Sequence, residues 1–291
     1  MAGRLIGCAA RLLLGAAALA ACGAAPPRRT LLPLASAADE AMIPVPGGSY
    51  VAGSTPAERE QAYADAARTT GDDRAWRGRW FDREEARHTA TLPAFLLDRT
   101  PVTQAAYAEY VRAEGLAGPA IDEAAWRRQG FRQDYAREVA RFNWRGASPP
   151  PGRDDHPVVL VTHAEARAYC AWRGRRLPSA AELEKAMRGP RGSLYPWGDA
   201  YDPTRLNGAD GGPNDTVSVE AHPAGAGPHG HLGLAGNVFQ WTSTPWPFRA
   251  GDVTVKGSAW DDHAGVGRGA QRHGRPARAR HVLVGFRCAG P

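Results

Sequence analysis

The chain has 291 residues, enough for one sizeable core. Its 34 glycines and 24 prolines make up about a fifth of the chain, well above the usual ~12%, so a loop-rich fold is expected. The net charge of +6 comes almost entirely from scattered arginines, many beside acids as in Asp82-Arg83-Glu84-Glu85; without a sharper basic stripe, no nucleic-acid partner is expected.

Arg4 and Arg11 form a short positive region around the start of an apolar run, Leu12 to Ala21. That run is too short to span a bilayer as a stable helix. It ends in Leu19-Ala20-Ala21-Cys22, which resembles a bacterial lipobox. Residues 1–21 are therefore expected to be a lipoprotein signal peptide, and Cys22 the lipidated first residue of the mature protein. An ordinary signal peptide with an incidental Cys22 is the alternative. Small residues before Cys22 and a Pro/Arg-rich stretch after it favour lipidation. Gly23 follows the cysteine rather than an Asp, which points to the outer membrane, facing the periplasm. Several acyl chains would hold the protein more firmly than one, and residues 22–41 read as lipidated Cys plus flexible tether.

Met42 to Gly53 reads as an opening strand and turn. Residues 54–88 form an insert rich in Arg, Asp and Glu with Trp76, Trp80 and Phe81. These aromatics are expected to pin the insert to the body; a partner-binding patch is the alternative. Strands are expected at Ala90–Leu97, Val158–Val161 and Val253–Lys256. Three helices announce themselves by their caps. One follows Thr103 and stops at Gly115. Thr162-His163-Ala164-Glu165 and Ser179-Ala180-Ala181-Glu182 are capping boxes, with stops at Gly174 and Gly189.

Five further motifs occur in order: Arg176-Leu177-Pro178-Ser179, Tyr195-Pro196-Trp197-Gly198-Asp199, Gly236-Asn237-Val238-Phe239-Gln240-Trp241, Val255-Lys256-Gly257-Ser258-Ala259-Trp260 and Val284-Gly285-Phe286-Arg287-Cys288. Together they make the chain from about Met42 to Cys288 resemble the sulfatase-modifying factor family, whose founding members are the formylglycine-generating enzymes. The resemblance implies a single domain over residues 42–291 with an irregular, loop-rich α+β architecture related to the C-type lectin fold. It also implies a Cys170–Cys288 disulfide, against the alternative of two buried free thiols. A loop of about 118 residues closed in this way is stabilised by at most ~4–5 kcal/mol in the chain-entropy model.

The resemblance further implies a copper(I) site made by two cysteines, since soft thiolates suit that metal. The corresponding positions here are Asp262 and Gly267, so no copper and no copper oxidase chemistry are expected. Asp261-Asp262-His263, followed by His273 and His281, stands in their place. Asp262, His263 and His273 are the candidate catalytic residues. Carboxylate plus imidazole suits non-haem iron or another divalent metal such as zinc or manganese. A polar loop bonding its own backbone is the alternative. His222, His229 and His231, in a Gly/Pro-rich loop, are either a second ligand source or simply solvated. One calcium site of the family is eroded, because its side-chain positions are Gly233 and Gln240. The other keeps Asn207 with Asp210 or Asp215, oxygen donors of the type calcium accepts; an Asx-turn loop is the alternative. No Gly-x-Ser-x-Gly, phosphate loop or HExxH is present. The expected function is an envelope lipoprotein, membrane-bound through its lipid, that binds or regulates an envelope protein partner. The alternatives are a metal-dependent oxidoreductase with replaced chemistry and, more distantly, glycan binding.

Overall fold

The computed structural model describes residues 41–291. The stretch expected to be a signal peptide, Cys22 and the expected tether as far as residue 40 lie outside the described residues. Three small sheets form a mixed, loop-rich body. Strands β1 (Met42–Val45), β4 (Phe95–Asp98) and β9 (Ala289–Gly290) pair in the order β1-β4-β9, all antiparallel. β2 (Gly48–Ala52) pairs with β3 (His88–Leu92) as a ribbon. The third sheet runs β7-β6-β5-β8, from β5 (Phe239–Pro245), β6 (Asp252–Lys256), β7 (His273–Pro276) and β8 (Val284–Gly285). Its β5–β8 pairing is parallel and the others are antiparallel. Every residue of β6 is buried, which is why that strand reads as a continuous run and not as an alternation.

The helices sit where their caps place them. α3 (Gln104–Ala113) is capped by Thr103, α5 (His163–Trp172) by the Thr162/Glu165 box, and α6 (Ala180–Arg188) by the Ser179/Glu182 box. In each box the hydroxyl accepts an otherwise unpaired N–H and the glutamate accepts another. The insert carries a further capping box, Thr55 with Glu58, which opens α1 (Pro56–Thr70). It continues into the short α2 (Arg74–Arg77) and is followed in the body by α4 (Glu123–Gln129). None of these three helices was expected from the sequence. No helix among the described residues is long and apolar enough to cross a membrane.

Two expected strands are corrected. Ala90–Leu97 is split by Pro93 and Ala94 into β3 and β4, which belong to different sheets. Val158–Val161 is not a strand. Its four side chains are fully buried, but Leu160 has φ +62°, and that left-handed residue breaks any ladder. Val158 N–H instead donates to Val102 O at 2.9 Å and Leu160 N–H to His281 O at 3.2 Å.

An aromatic core joins α3, α5 and the C-terminus. Tyr107 stacks on Tyr169 at 5.4 Å, and Phe286 meets the edges of both. The Cys170–Cys288 disulfide, with Cα atoms 5.6 Å apart, crosslinks α5 to the segment entering β9. The insert is held by Phe81, which is fully buried, while Trp76 is 54% exposed. So the three aromatics of the insert divide: Phe81 and the partly buried Trp80 pin it, and Trp76 faces solvent from the edge of Tyr63.

A buried ion network binds the insert, α6 and β6 together. Glu184 accepts from Lys256 Nζ at 3.0 Å, from Arg188 at 3.2 Å and from Gly53 N–H at 2.8 Å. Lys256 also donates to Gly269 O at 2.6 Å, and Arg188 to Gly192 O at 2.9 Å and Ser193 O at 3.1 Å. Removing one member leaves buried charges uncompensated. Glu184→Ala is expected to lower unfolding free energy by ~3–5 kcal/mol, read by urea denaturation. Thr55→Ala, which removes one capping hydroxyl, is expected to cost only ~1 kcal/mol.

Candidate functional site

The site is built on the loop that leaves β6. Gly257 takes φ +86°, and a Cβ there would stand 2.8 Å from Leu234 O, so the turn requires glycine. Ser258 Oγ accepts Gly236 N–H at 2.8 Å, and Trp260 N–H donates to Asn237 O at 3.1 Å. This docks the loop on the Gly236-Asn237-Val238 segment ahead of β5. Asp262 then closes a tight turn on itself: its N–H donates to Ala259 O at 3.1 Å, and its Oδ2 accepts Ala259 N–H at 2.8 Å.

This loop, β7, the 130–133 segment and the insert's Trp80 enclose a cavity of about 310 Å³. Asp261, Asp262, His273, Arg275 and His281 all line it. His263 does not: its Nδ1 pairs with Asp210 Oδ1 at 2.7 Å, while Asp210 Oδ2 accepts from Tyr201 at 2.6 Å and Ala264 N–H at 3.1 Å. Of the three candidate catalytic residues, then, the structure brings Asp262 and His273 to one wall and places His263 elsewhere. It adds His281, Arg275, Gln133 and Gln271. The last three carried no sequence signal, because they come from segments distant along the chain or outside any recognisable motif.

Burial, followed by repulsion from Asp261, pushes the Asp262 carboxyl up from 3.8 to about 8. Asp261 is also raised, mainly by burial. Two carboxyls this close retain a proton between them at neutral pH. Burial and then the Arg275 charge push His273 down to about 3, and push His281 well below its ordinary value. Both imidazoles are therefore neutral. Arg275 Nη1 donates to His273 Nε2 at 2.5 Å; arginine has no acceptor, so the His273 proton sits on Nδ1. Leu283 N–H donates to His281 Nδ1 at 3.1 Å, which leaves the proton on Nε2. His281 is wedged against Phe131, with ring centroids 4.2 Å apart.

These residues do not fit a transition metal. The His273 nitrogen facing Arg275 is occupied by a guanidinium, whose charge opposes a cation. Among the described residues, no group of three or more His, Cys, Asp or Glu could hold a metal ion. The thiolate pair is absent too. A side chain at Gly267 would meet Ser258 Oγ at 3.3 Å, Leu206 at 3.5 Å and Ala235 at 3.6 Å, and Gly267 does not line the cavity.

The carboxylates among the calcium candidates are already committed to other groups. Asp215 holds Arg153 with both oxygens, at 2.7 and 2.6 Å. Asp210 is committed to His263, Tyr201 and Ala264. Asn207 spends its Nδ2 on Asp215 O and Asn237 Oδ1, and only its buried Oδ1 lacks a protein partner. At the eroded position, Gln240 donates to Gly233 O at 2.9 Å and accepts from Arg287 at 2.5 Å. Arg287 itself donates to Leu232 O at 2.6 Å and Gly233 O at 2.9 Å. Nitrogen donors thus take the oxygens that calcium would need. Of the three histidines of the preceding loop, His222 bonds Thr204 O at 3.0 Å, while His229 and His231 have ring centroids 6.4 Å apart and His231, far from being solvated, is fully buried.

Two outcomes follow from this chemistry. Because Asp262 is raised from 3.8 to about 8, the folded protein retains a proton that the unfolded chain releases. Its contribution is intact below about pH 4 and is lost as pH rises toward 8. Asp262→Asn should therefore flatten the decline in unfolding free energy between these limits, measured by urea denaturation at several pH values. Calcium or EDTA should leave Tm unchanged, since Asp215 is held by Arg153 and Asp210 by His263 and Tyr201 and only a ligand that binds the folded state raises Tm.

Comparison with known proteins agrees with this architecture. The family description "Sulfatase-modifying factor enzyme 1-like domain" matches residues 29–290. The chain is 31% identical to the inactive C-alpha-formylglycine-generating enzyme 2 of Mus musculus, covering 89% of this chain and 88% of that protein. It is also 31% identical to hercynine oxygenase of Mycolicibacterium smegmatis, covering 72% of this chain but only 55% of that protein. Among solved structures, PvdO from Pseudomonas aeruginosa superposes with TM-score 0.61 at 21% identity, covering 86% of this chain and 93% of that one. CarF superposes with TM-score 0.55 at 18% identity, covering 86% of this chain and 98% of that one. These two likenesses establish the α+β fold. With its domain matched almost from end to end, the chain belongs to the sulfatase-modifying factor family.

Proposed function

We propose that this chain is an envelope lipoprotein whose sulfatase-modifying-factor domain is a binding or regulatory module and not a formylglycine-generating oxidase. The observation that carries this reading is the wall around Asp262. The positions of the family's thiolate pair hold a carboxyl and a glycine, and Arg275 blocks His273. What the loop retains is a shaped, polar cavity with its walls locked in place, which suits binding. The relative from Mus musculus, named as inactive, supports the same direction. The lipobox reading of Leu19-Ala20-Ala21-Cys22 supports a membrane anchor, and the exposed aromatics Trp76 and Phe248 supply contact surface for an envelope protein partner.

A second reading, an oxidoreductase with replaced chemistry, draws support from the hercynine oxygenase relatives and from Asp262, His273 and His281 sharing one cavity. The Arg275–His273 bond weighs against it. Stoichiometric iron(II) binding lost in Asp262→Ala would favour the second reading over the first, and a further assay tests the exclusion of formylglycine generation that both share. Purified protein supplied with copper(I), oxygen and a cysteine-containing peptide should yield no aldehyde by mass spectrometry. Formylglycine product that disappears in Asp262→Ala would refute the binding-module reading. Cells fed radiolabelled palmitate should label the wild type and leave Cys22→Ser unlabelled; an unlabelled wild type would remove the anchor, and equal labelling of both would move it away from Cys22.

A further inference from the structure

Five arginines line the cavity beside Asp261 and Asp262: Arg79, Arg83, Arg132, Arg272 and Arg275. Two of them are answered by acids that do not line it, Arg79 by Asp82 and Arg272 by Glu85. Arg83 stands within the run Asp82-Arg83-Glu84-Glu85, yet all three neighbouring acids are taken, since Glu84 holds the buried Arg268. The Arg83 guanidinium lies instead over the ring of the exposed Phe248, 6.0 Å from its centroid. Among the described residues Arg132 has no acid partner either; Asp134, two residues on, accepts Arg137 N–H at 2.9 Å as a cap. Arg83 and Arg132 are both exposed, so their N–H groups are free to meet a molecule that enters.

The balance of charge selects the ligand. The Asp261–Asp262 pair retains a proton, which leaves it a single negative charge. Against that charge stand Arg83, Arg132 and Arg275. Arg132 acts on Asp261, and Arg83 and Arg275 act on His273. The wall is therefore net positive and favours an anion. The charge left on the carboxyl pair opposes a second charge on the ligand, so a monoanion fits better than a phosphate dianion. Guanidinium groups meet a carboxylate with paired N–H donors. The rest of the lining includes Trp80 and Phe131, both partly buried, with Val266 and Leu283. This apolar surface is covered only by a ligand that carries an apolar body.

We propose that this cavity binds a carboxylate carried on a small apolar or aromatic body, with Arg83 and Arg132 holding the carboxylate and Trp80 and Phe131 packing the body. The proposal rests on the reading of the domain as a binding module. The volume of about 310 Å³ lies at the small end of ligand sites, room for one such unit. A free organic acid and the last residue of a polypeptide share this chemistry.

The test uses the full-length protein in non-ionic detergent. The probes are phenylacetate, phenylacetamide, inorganic phosphate, and N-acetyl-alanyl-phenylalanine as acid and as amide. Calorimetry measures every probe and saturation-transfer NMR reports the ring protons, each against detergent alone. Phenylacetate or the peptide acid should bind saturably, and its amide about tenfold or more weakly. The double variant Arg83→Gln/Arg132→Gln should lose about tenfold or more, equal to ~1.4 kcal/mol. Both side chains are exposed and hold no acid, so the variant should keep the wild-type Tm. Tighter binding of the peptide acid than of phenylacetate would support the proposal with a polypeptide C-terminus as the source; the reverse order would support it with a free acid. Equal binding of acid and amide would overturn it, as would acid binding unaltered in the double variant. Saturation by phosphate with none by the carboxylates would overturn the proposed class and leave the binding-module reading standing. No binding by any probe would overturn the proposal alone, because the iron(II) measurement above decides the reading beneath it.

Discussion

The carboxylate of Glu184 is the point on which the rest of the structure turns. It gathers Lys256 from β6, Arg188 from its own helix and the Gly53 N–H from the turn just before the insert. Lys256 then reaches Gly269 O, and Arg268 closes a second buried pair with Glu84 of the insert. Charges this deep are costly to desolvate and persist only when each is met. The consequence is geometric. The loop from Gly257 to Gln271 has little regular structure, yet it is fixed at Gly269 and Arg268 on one end and at Ser258 and Trp260 on the other. That loop carries Asp261 and Asp262, so the cavity inherits its rigidity from a network that does not line it.

Within that frame the site has changed its chemistry while keeping its shape. A thiolate pair would make the loop a soft-metal site. A carboxyl pair short of polar partners instead retains a proton, and the neighbouring histidines are kept neutral by burial and by Arg275. The same substitution logic operates at the calcium positions. Where oxygens would surround a cation, Arg287 and Arg153 bring guanidinium groups that use those oxygens as acceptors. Arginine thus stands against the metal-binding groups at all three places, and a chain whose positive charge is almost wholly arginine has the side chain suited to that role.

Much of the fold was legible because its local signals are strong. Thr162 and Ser179, each followed three residues later by Glu, mark the starts of two helices to the residue. Thr55-Pro56-Ala57-Glu58 carries the same signature and was passed over, because the residues after it are dense in charge and lack a clear apolar stripe. Val158–Val161 misled for the opposite reason: an unbroken apolar run fits a buried strand, and nothing local reveals the left-handed turn at Leu160. At the site, Asp262 and His273 were found through the family motifs, and His263 stood beside Asp262 in sequence. In a tight turn, however, adjacent side chains diverge, and His263 is drawn outward to Asp210, 53 residues away. Gln133 and Arg275 could not be found from the sequence, since their meaning lies in which cavity the loops bring them to.

Arg275, by occupying His273, closes the wall around Asp262 to metal ions. Titration calorimetry with zinc(II) and iron(II), on the wild type and on Arg275→Ala, tests it most directly. No stoichiometric binding to the wild type is expected. One equivalent bound by the wild type and lost in Asp262→Ala would contradict it, and the family's metal chemistry would then have been replaced in kind and not abandoned.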